Sequence, residues 1–318
     1  MHKIIVLSLL LLPFFGCKET LPNSCNIEEI KASNTITDEC RSAIQAALPT
    51  SSNNLSDLTL SVGQTKIASK PVLFVMGTGL SNLAVSDVTV KVGTTKLAST
   101  DFEVKSVADY GAVLMSTSMI VDYSGSMSDT DIDDSIGIYQ DFFVGLKGFF
   151  ESEIRLFSTT VSQKQDFTTD FDLLNSQVVK DTTFTRGGTA LYDAIGTGVT
   201  ALTARTSPIR FLIVTTDGFE NSSNSYDKAA LISLAAANKI PIIIMGTLFT
   251  DVGVMSDLAS GTNGVFLYTK NFQDLKITAA TLKKTLSDIK AIEITNGAYA
   301  GSAFTVTINN TKLSFPAQ

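Results

Sequence analysis

The sequence contains no tryptophan and a single histidine, His2. That histidine stands inside an N-terminal stretch that reads as a removable leader, so the mature chain is expected to have none. A chain without histidine cannot build a Ser-His-Asp triad, a Cys-His pair or a histidine-rich zinc site. Charge is scarce as well: Asp, Glu, Lys and Arg make up 17% of the residues, with a net charge of −7. A nucleic-acid surface needs a basic patch to neutralise phosphates, and this balance argues against one. The apolar run at 4–15 is too short to cross a bilayer, which needs roughly 20 residues. What remains is a 44% hydrophobic composition in 318 residues, a globular body with length for one large domain or two ordinary ones.

Residues 1–16 have the grammar of an export signal. Lys3 is the positive region, 4–15 is apolar apart from Ser8 and Pro13, and Gly16 and Cys17 follow. The ending resembles a bacterial lipobox, whose cysteine is lipidated and becomes the first mature residue. The usual leucine three positions before that cysteine is replaced here by Phe14. The resemblance implies lipidation at Cys17 and a lipid-anchored place on the bacterial cell envelope, at the outer membrane, the cell surface or the periplasmic face. The alternative is ordinary secretion with cleavage nearby. An exported chain with three cysteines has one left over. If Cys17 carries lipid, Cys25 and Cys40 remain as a candidate disulfide in an oxidising compartment. The alternative is two free thiols in a tether.

Residues 17–54 are polar and read as that tether, with short helices expected at 26–31 and 39–47. Residues 55–112 read as a small all-β unit. Alternation at 57–62 and 88–92, an apolar run at 71–76 and a strand at 101–105 are separated by turns at 63–64, 77–79 and 93–94. The pattern changes at 113–290, where strands at 118–122, 153–157, 210–215, 240–245 and 264–268 alternate with helical stretches. The first helix shows Ile132, Ile136, Tyr139, Phe142, Phe143, Leu146 and Phe149 at three- and four-residue steps. Continuously apolar strands between helices predict an α/β fold, a doubly wound, mostly parallel sheet covered on both faces. Residues 291–318 return to strands, with a hairpin turn at Asn309-Asn310. A lone hairpin is marginal in water, so it is expected to pair with the strands of 55–112 in a sandwich-like unit.

Three loops of the α/β part carry the chemistry: DYSGSM at 122–127, RGGT at 186–189 and TTDG at 215–218. In open α/β sheets the site lies outside the carboxyl ends of the strands. Asp122, Ser124, Ser126, Thr189 and Asp217 offer oxygen and nothing softer, which suits a hard cation. The first loop matches the D-x-S-x-S motif, GGTALYDAI the threonine loop and TTDG the final acidic loop of von Willebrand factor type A domains, in family order. The chain thus resembles that family over more than half its length. The resemblance implies a Rossmann-like fold and a metal-ion-dependent adhesion site holding Mg²⁺, with Mn²⁺ or Ca²⁺ as alternatives. It implies direct ligation by Ser124, Ser126 and Thr189, with Asp122 and Asp217 acting mostly through water and hydrogen bonds. It also implies a protein partner whose Asp or Glu completes the shell, and coupling to movement of the last helix, 271–289.

Other acids read more plainly. Asp129, Asp131, Asp133 and Asp134 begin like a calcium loop, but Asp134 stands where glycine is needed and Gln140 where glutamate is needed. They are expected as helix N-terminal charges. Asp193 and Glu220 are expected as surface or capping acids. Two other functions stay open. A metal-dependent phosphoester hydrolase is disfavoured because Ser124 stands where an aspartyl-phosphate enzyme has a second acid. A structural envelope component with an idle site is the other. The expectation is a binding module and not an enzyme.

Overall fold

The computed structural model describes residues 59–145, 148, 150–247, 250–269 and 271–317, together with Thr37 and Glu39. Apart from those two residues, the expectations for leader and tether, Cys17, Cys25 and Cys40 included, lie outside the described residues. Strands β1 (Thr59–Ile67), β2 (Lys70–Gly77), β3 (Val88–Val92), β4 (Thr95–Lys96) and β5 (Phe102–Ser106) come first. The alternating part follows: β6 (Met115–Asp122), α1 (Asp129–Gly145), β7 (Phe150–Phe157), β8 (Val161–Thr168), α2 (Phe171–Gln177) and α3 (Leu191–Thr203). It continues through β9 (Ile209–Thr216), α4 (Lys228–Ala237), β10 (Ile242–Thr247), α5 (Val252–Gly261), β11 (Val265–Thr269) and α6 (Phe272–Ser287). Then come β12 (Lys290–Ile294), β13 (Phe304–Ile308) and β14 (Thr311–Phe315).

The α/β expectation describes the fold. Strands β7, β6, β9, β10 and β11 lie side by side and parallel. Their residues alternate between two cores. Met119, Val121, Ile213 and Met245 pack with Ile132, Tyr139 and Phe142 of α1 and Leu275 and Leu282 of α6. Ile120, Leu212, Val214 and Ile244 pack with Ile195 and Val199 of α3, Leu231 of α4 and Leu258 of α5. Burial on both faces is why these strands are apolar without alternation.

The smaller β part is built differently from the expectation. The hairpin β13–β14 does pair with β3, Phe304 opposite Val92 through Ile308 opposite Val88. That four-stranded sheet, β14-β13-β3-β4, flanks the main one. Strands β1, β2, β12 and β5, however, belong to the main sheet, joined to it where Gly63 of β1 lies opposite Ile209 of β9. The sheet therefore forks at β9, whose same edge pairs with β10 from Leu212 to Thr216. Val72, Phe74 and Met76 of β2 face the core beneath α1 and α6. Leu73 and Val75, with Ile292 and Ile294 of β12, face Val90, Val306 and Ile308 of the flanking sheet. Because β2 is covered on both sides, 71–76 shows no alternation.

Local differences have local causes. The turn expected at 63–64 is absent: Gly63 sits mid-strand, at a bulge in the β1–β2 register. A Cβ there would lie 2.1 Å from the Pro208 carbonyl oxygen, so the glycine serves close backbone approach and not a turn. The hairpin turns instead at Ala68 and Ser69, with φ of 49° and 66°. Those are the conformations of a two-residue primed turn, which favours Asn and Gly. Asn309 and Asn310, with φ of 48° and 67°, make the same turn with the residues that signal it. Replacing Ala68→Asn together with Ser69→Gly is expected to stabilise the protein by about 1 kcal/mol. It should appear as a higher urea midpoint at unchanged slope, and an unmoved midpoint would count against a strained turn. The first helix ends at Gly145, while Leu146 and Phe149 lie outside the described residues. Strand β8 and helix α2 are elements that the sequence reading does not anticipate. β8 is an edge strand, VSQKQDFT, with polar residues toward both faces, so no apolar period marks it.

Candidate metal centre

The three loops converge at the carboxyl ends of β6 and β9 and the start of α3. Asp122, the last residue of β6, is fully buried. Its Oδ1 accepts the Ser124 backbone N–H at 2.6 Å and its Oδ2 accepts the Thr216 hydroxyl at 2.6 Å. Both carboxylate oxygens are thus used to shape the loop. The Ser124 and Ser126 hydroxyls lie 3.0 Å apart, and Ser126 Oγ donates to Asp217 Oδ1 at 2.7 Å. Four of the five expected residues therefore form one hydrogen-bonded chain.

Thr189 arrives on the loop before α3. Its backbone N–H donates to Asn221 Oδ1 at 2.7 Å, and its carbonyl accepts the N–H groups of Asn221 and Ser222 at 3.1 and 3.3 Å. The Gly125 N–H donates to the Gly187 carbonyl at 2.7 Å, which ties this loop to the first. The Thr189 hydroxyl is buried and has no hydrogen-bond partner. It faces the same small space as Ser126. A Cβ added to Gly218 would stand 3.1 Å from Thr189 Oγ1 and 3.2 Å from Ser126 Oγ. The space is therefore lined by hydroxyls and kept open by a missing side chain.

Burial raises the Asp122 carboxyl above the ordinary carboxylate range, against hydrogen bonds from Thr216 and Ser124 and the charge of Arg186. Burial also raises Asp217, and the neighbouring Asp122 adds to it. Two carboxyls close together out of water resist joint ionisation. Among the described residues no group of three or more His, Cys, Asp and Glu side chains is gathered. The cluster is one of hydroxyls with two acids.

The remaining acids do structural work. Asp131 Oδ2 accepts from Ser128 N and Oγ at 3.0 and 2.6 Å, while Ser128 Oγ accepts Asp131 N at 3.1 Å, a capping box that starts α1. Asp193 accepts the N–H groups of Asn224, Ser225 and Tyr226. Glu220 accepts those of Tyr192, Ser222 and Ser223. These two acids bind the loop after β9 to the start of α3. Sequence reasoning missed Thr216, Gly218 and Asn221. The first two lie inside the TTDG motif, whereas nothing in the sequence around Asn221 marks it.

A family model for the von Willebrand factor type A domain matches residues 118–281, just over half of the chain. Among solved structures, a von Willebrand factor type A protein from Catenulispora acidiphila is 14% identical with a TM-score of 0.48, covering 73% of this chain and 48% of its own. Proximal thread matrix protein 1 from the mussel byssus, solved with a zinc-occupied MIDAS motif, is 16% identical with a TM-score of 0.48, covering 56% of this chain and 46% of its own. This chain spans about half the length of those two. The von Willebrand factor domain of the type V pili tip protein Mfa5 from Porphyromonas gingivalis is 11% identical with a TM-score of 0.44, covering 55% of this chain and 95% of its own. No curated protein matches the sequence.

Proposed function

Because the chain belongs to the von Willebrand factor type A domain family, we propose that it is a metal-dependent protein-binding module of the bacterial cell envelope. In this reading it holds a magnesium-type divalent cation and captures an Asp or Glu of a protein partner. The observation that carries the reading is the Thr189 hydroxyl, buried and unpartnered, facing Ser126 across a space left open by Gly218. An unsatisfied buried hydroxyl costs about 1–3 kcal/mol. Two adjacent buried acids add to that cost, and oxygen donors in this number and chemistry fit a hard cation. Ser124, Ser126 and Thr189 would ligate directly. Asp122, held by Ser124 and Thr216, and Asp217, held by Ser126, would act through water and hydrogen bonds. The bound ion would supply positive charge left under-neutralised by three neutral hydroxyls, which attracts an incoming carboxylate.

The envelope part of the proposal rests on the sequence of 1–16, which reads as a leader, and on the lipobox resemblance, which implies lipidation at Cys17 ahead of a polar stretch at 17–54. Binding without catalysis is supported by Ser124 at the second position after Asp122, where a nucleophile pair would place another acid.

Crystals soaked in Mn²⁺ are expected to show an anomalous peak enclosed by Ser124, Ser126 and Thr189. A map with no peak there sinks the metal reading. The raised carboxyls also give a sign. In the metal-free protein, stability from protonated Asp122 and Asp217 is present at acid pH and lost as pH climbs from the ordinary carboxylate range past neutrality. Cation binding needs both acids ionised. Calorimetric Mn²⁺ affinity is therefore expected to rise with pH over the same interval, with proton release.

A further inference from the structure

Four arginines lie among the described residues, and three use two guanidinium nitrogens each. Arg155 gives Nε and Nη2 to Glu153, each at 2.8 Å. Arg205 gives Nε and Nη2 to Glu151 at 2.9 and 2.7 Å. Arg210 donates to the carbonyls of Leu202 and Asn238 at 3.3 and 3.0 Å. Arg186 differs. It is exposed, and only its Nη1 has a partner, Asp129 Oδ1 at 3.1 Å. Its Nε and Nη2 make no hydrogen bond to the described residues.

Its position matters. Arg186 directly precedes Gly187, whose carbonyl accepts the Gly125 N–H, and stands three residues before Thr189. It therefore sits on the loop that carries Thr189, on the rim of the candidate centre. Asp129, the first residue of α1, has a side chain 73% exposed, yet two cations hold it. Besides Arg186, Lys180 Nζ lies 3.5 Å from Asp129 Oδ2 and 3.3 Å from Asp133 Oδ2. Exposed single-point pairs of this kind contribute little to folding. A guanidinium with one edge open to water is a planar receptor for a carboxylate, which it grips with two parallel hydrogen bonds.

We propose that Arg186 is a second anchor for the partner. The ligand is an acidic segment with two carboxylates, one at the Ser124–Ser126–Thr189 centre and one on the open Nε–Nη2 edge of Arg186. Asp129 is the internal competitor for that cation. The inference rests on the metal-dependent reading above. Release of Asp129 is cheap, because it keeps Lys180 and stays at the positive end of α1. The rim is thus neutralised when empty and re-pairs when filled, which selects a doubly acidic segment over a single acid.

The probes are nine-residue Gly-Ser peptides with one central Glu, or with a second Glu one, two or three residues later. Binding is measured by interferometry in Mn²⁺, and Mn²⁺ uptake separately by calorimetry. The wild-type protein is expected to bind at least one two-Glu peptide roughly tenfold tighter than the one-Glu peptide. Arg186→Gln should erase that preference, with both peptides compared at saturating Mn²⁺ so that a change in cation affinity does not enter the ratio. Asp129→Asn should strengthen two-Glu binding about threefold, as a competitor is removed. Both variants should melt at the wild-type temperature. If one-Glu binding depends on Mn²⁺ but no spacing gains from a second Glu, or the gain survives Arg186→Gln, the anchor is wrong and the metal reading stands. If Mn²⁺ is taken up but no peptide binds, carboxylate capture and the anchor both fall. No Mn²⁺ uptake removes the metal reading itself.

Discussion

Gly218→Ala is expected to abolish measurable divalent-cation binding while leaving all five oxygen-bearing side chains in the sequence. The new methyl would stand 3.1 Å from Thr189 Oγ1 and 3.2 Å from Ser126 Oγ, inside the space those hydroxyls face. Neither hydroxyl can retreat easily. Ser126 is held by Asp217 at 2.7 Å, and the Thr189 backbone is held on both sides by Asn221. A single methylene misplaced in a packed site is felt, and an ion that needs near-ideal oxygen geometry tolerates it worst. Mn²⁺ calorimetry should show at least a hundredfold loss, more than Thr189→Ser, which keeps the hydroxyl. The folded baseline by circular dichroism should not change. Wild-type affinity in Gly218→Ala would mean that the cation, if held, lies elsewhere.

The second large effect concerns folding. Gly63→Ala is expected to destabilise the protein by about 3 kcal/mol. Its Cβ would meet the Pro208 carbonyl oxygen at 2.1 Å and carbon at 2.9 Å, both backbone atoms with no rotamer to yield. Relief requires β1 to leave β9, and Gly63 opposite Ile209 is the one pairing that joins those strands. Gly137→Ala is the control. It adds a Cβ to the interior of α1 that meets only the end of the Lys276 side chain, at 3.4 Å, and should stabilise by about 0.5–1 kcal/mol. Urea unfolding of both variants separates them by sign. An unshifted Gly63→Ala would show that β1 is not pinned against β9.

The parts of this fold legible in the sequence are those whose cause is local. Strands such as β9 and β10, buried on both faces, announce themselves as unbroken apolar runs between helical periods. The loop motifs are legible because Asp122, Ser124 and Ser126 are neighbours, and their spacing is the chemistry. What could not be read depends on distant partners. The place of β2 in the main sheet is set by β1 on one edge and β12 on the other, more than 200 residues away in sequence. Gly63 looks like a turn because nothing in its neighbourhood reveals Pro208. Asn221 shapes the Thr189 loop through one amide oxygen, and Thr216 orients Asp122 through one hydroxyl. Single hydrogen bonds across space leave no period and no spacing.

Strand β12 gives the molecule a mechanical character. Only Asp288 and Ile289 separate the end of α6 from β12, and the Ile289 carbonyl is itself held by Val107 N–H at 3.2 Å. β12 is locked between β2, through Lys290–Val75 to Glu293–Val72, and β5, through Lys290–Ser106 to Ile294–Phe102. A helix that slid down by one turn, about 5.4 Å, would push this strand by between one and two residues. A one-residue slip turns Ala291 and Glu293 toward the sandwich core and Ile292 and Ile294 away from it. The lower end of α6 is thus anchored in two strand ladders, and a downward slide of the helix would have to break the register of both.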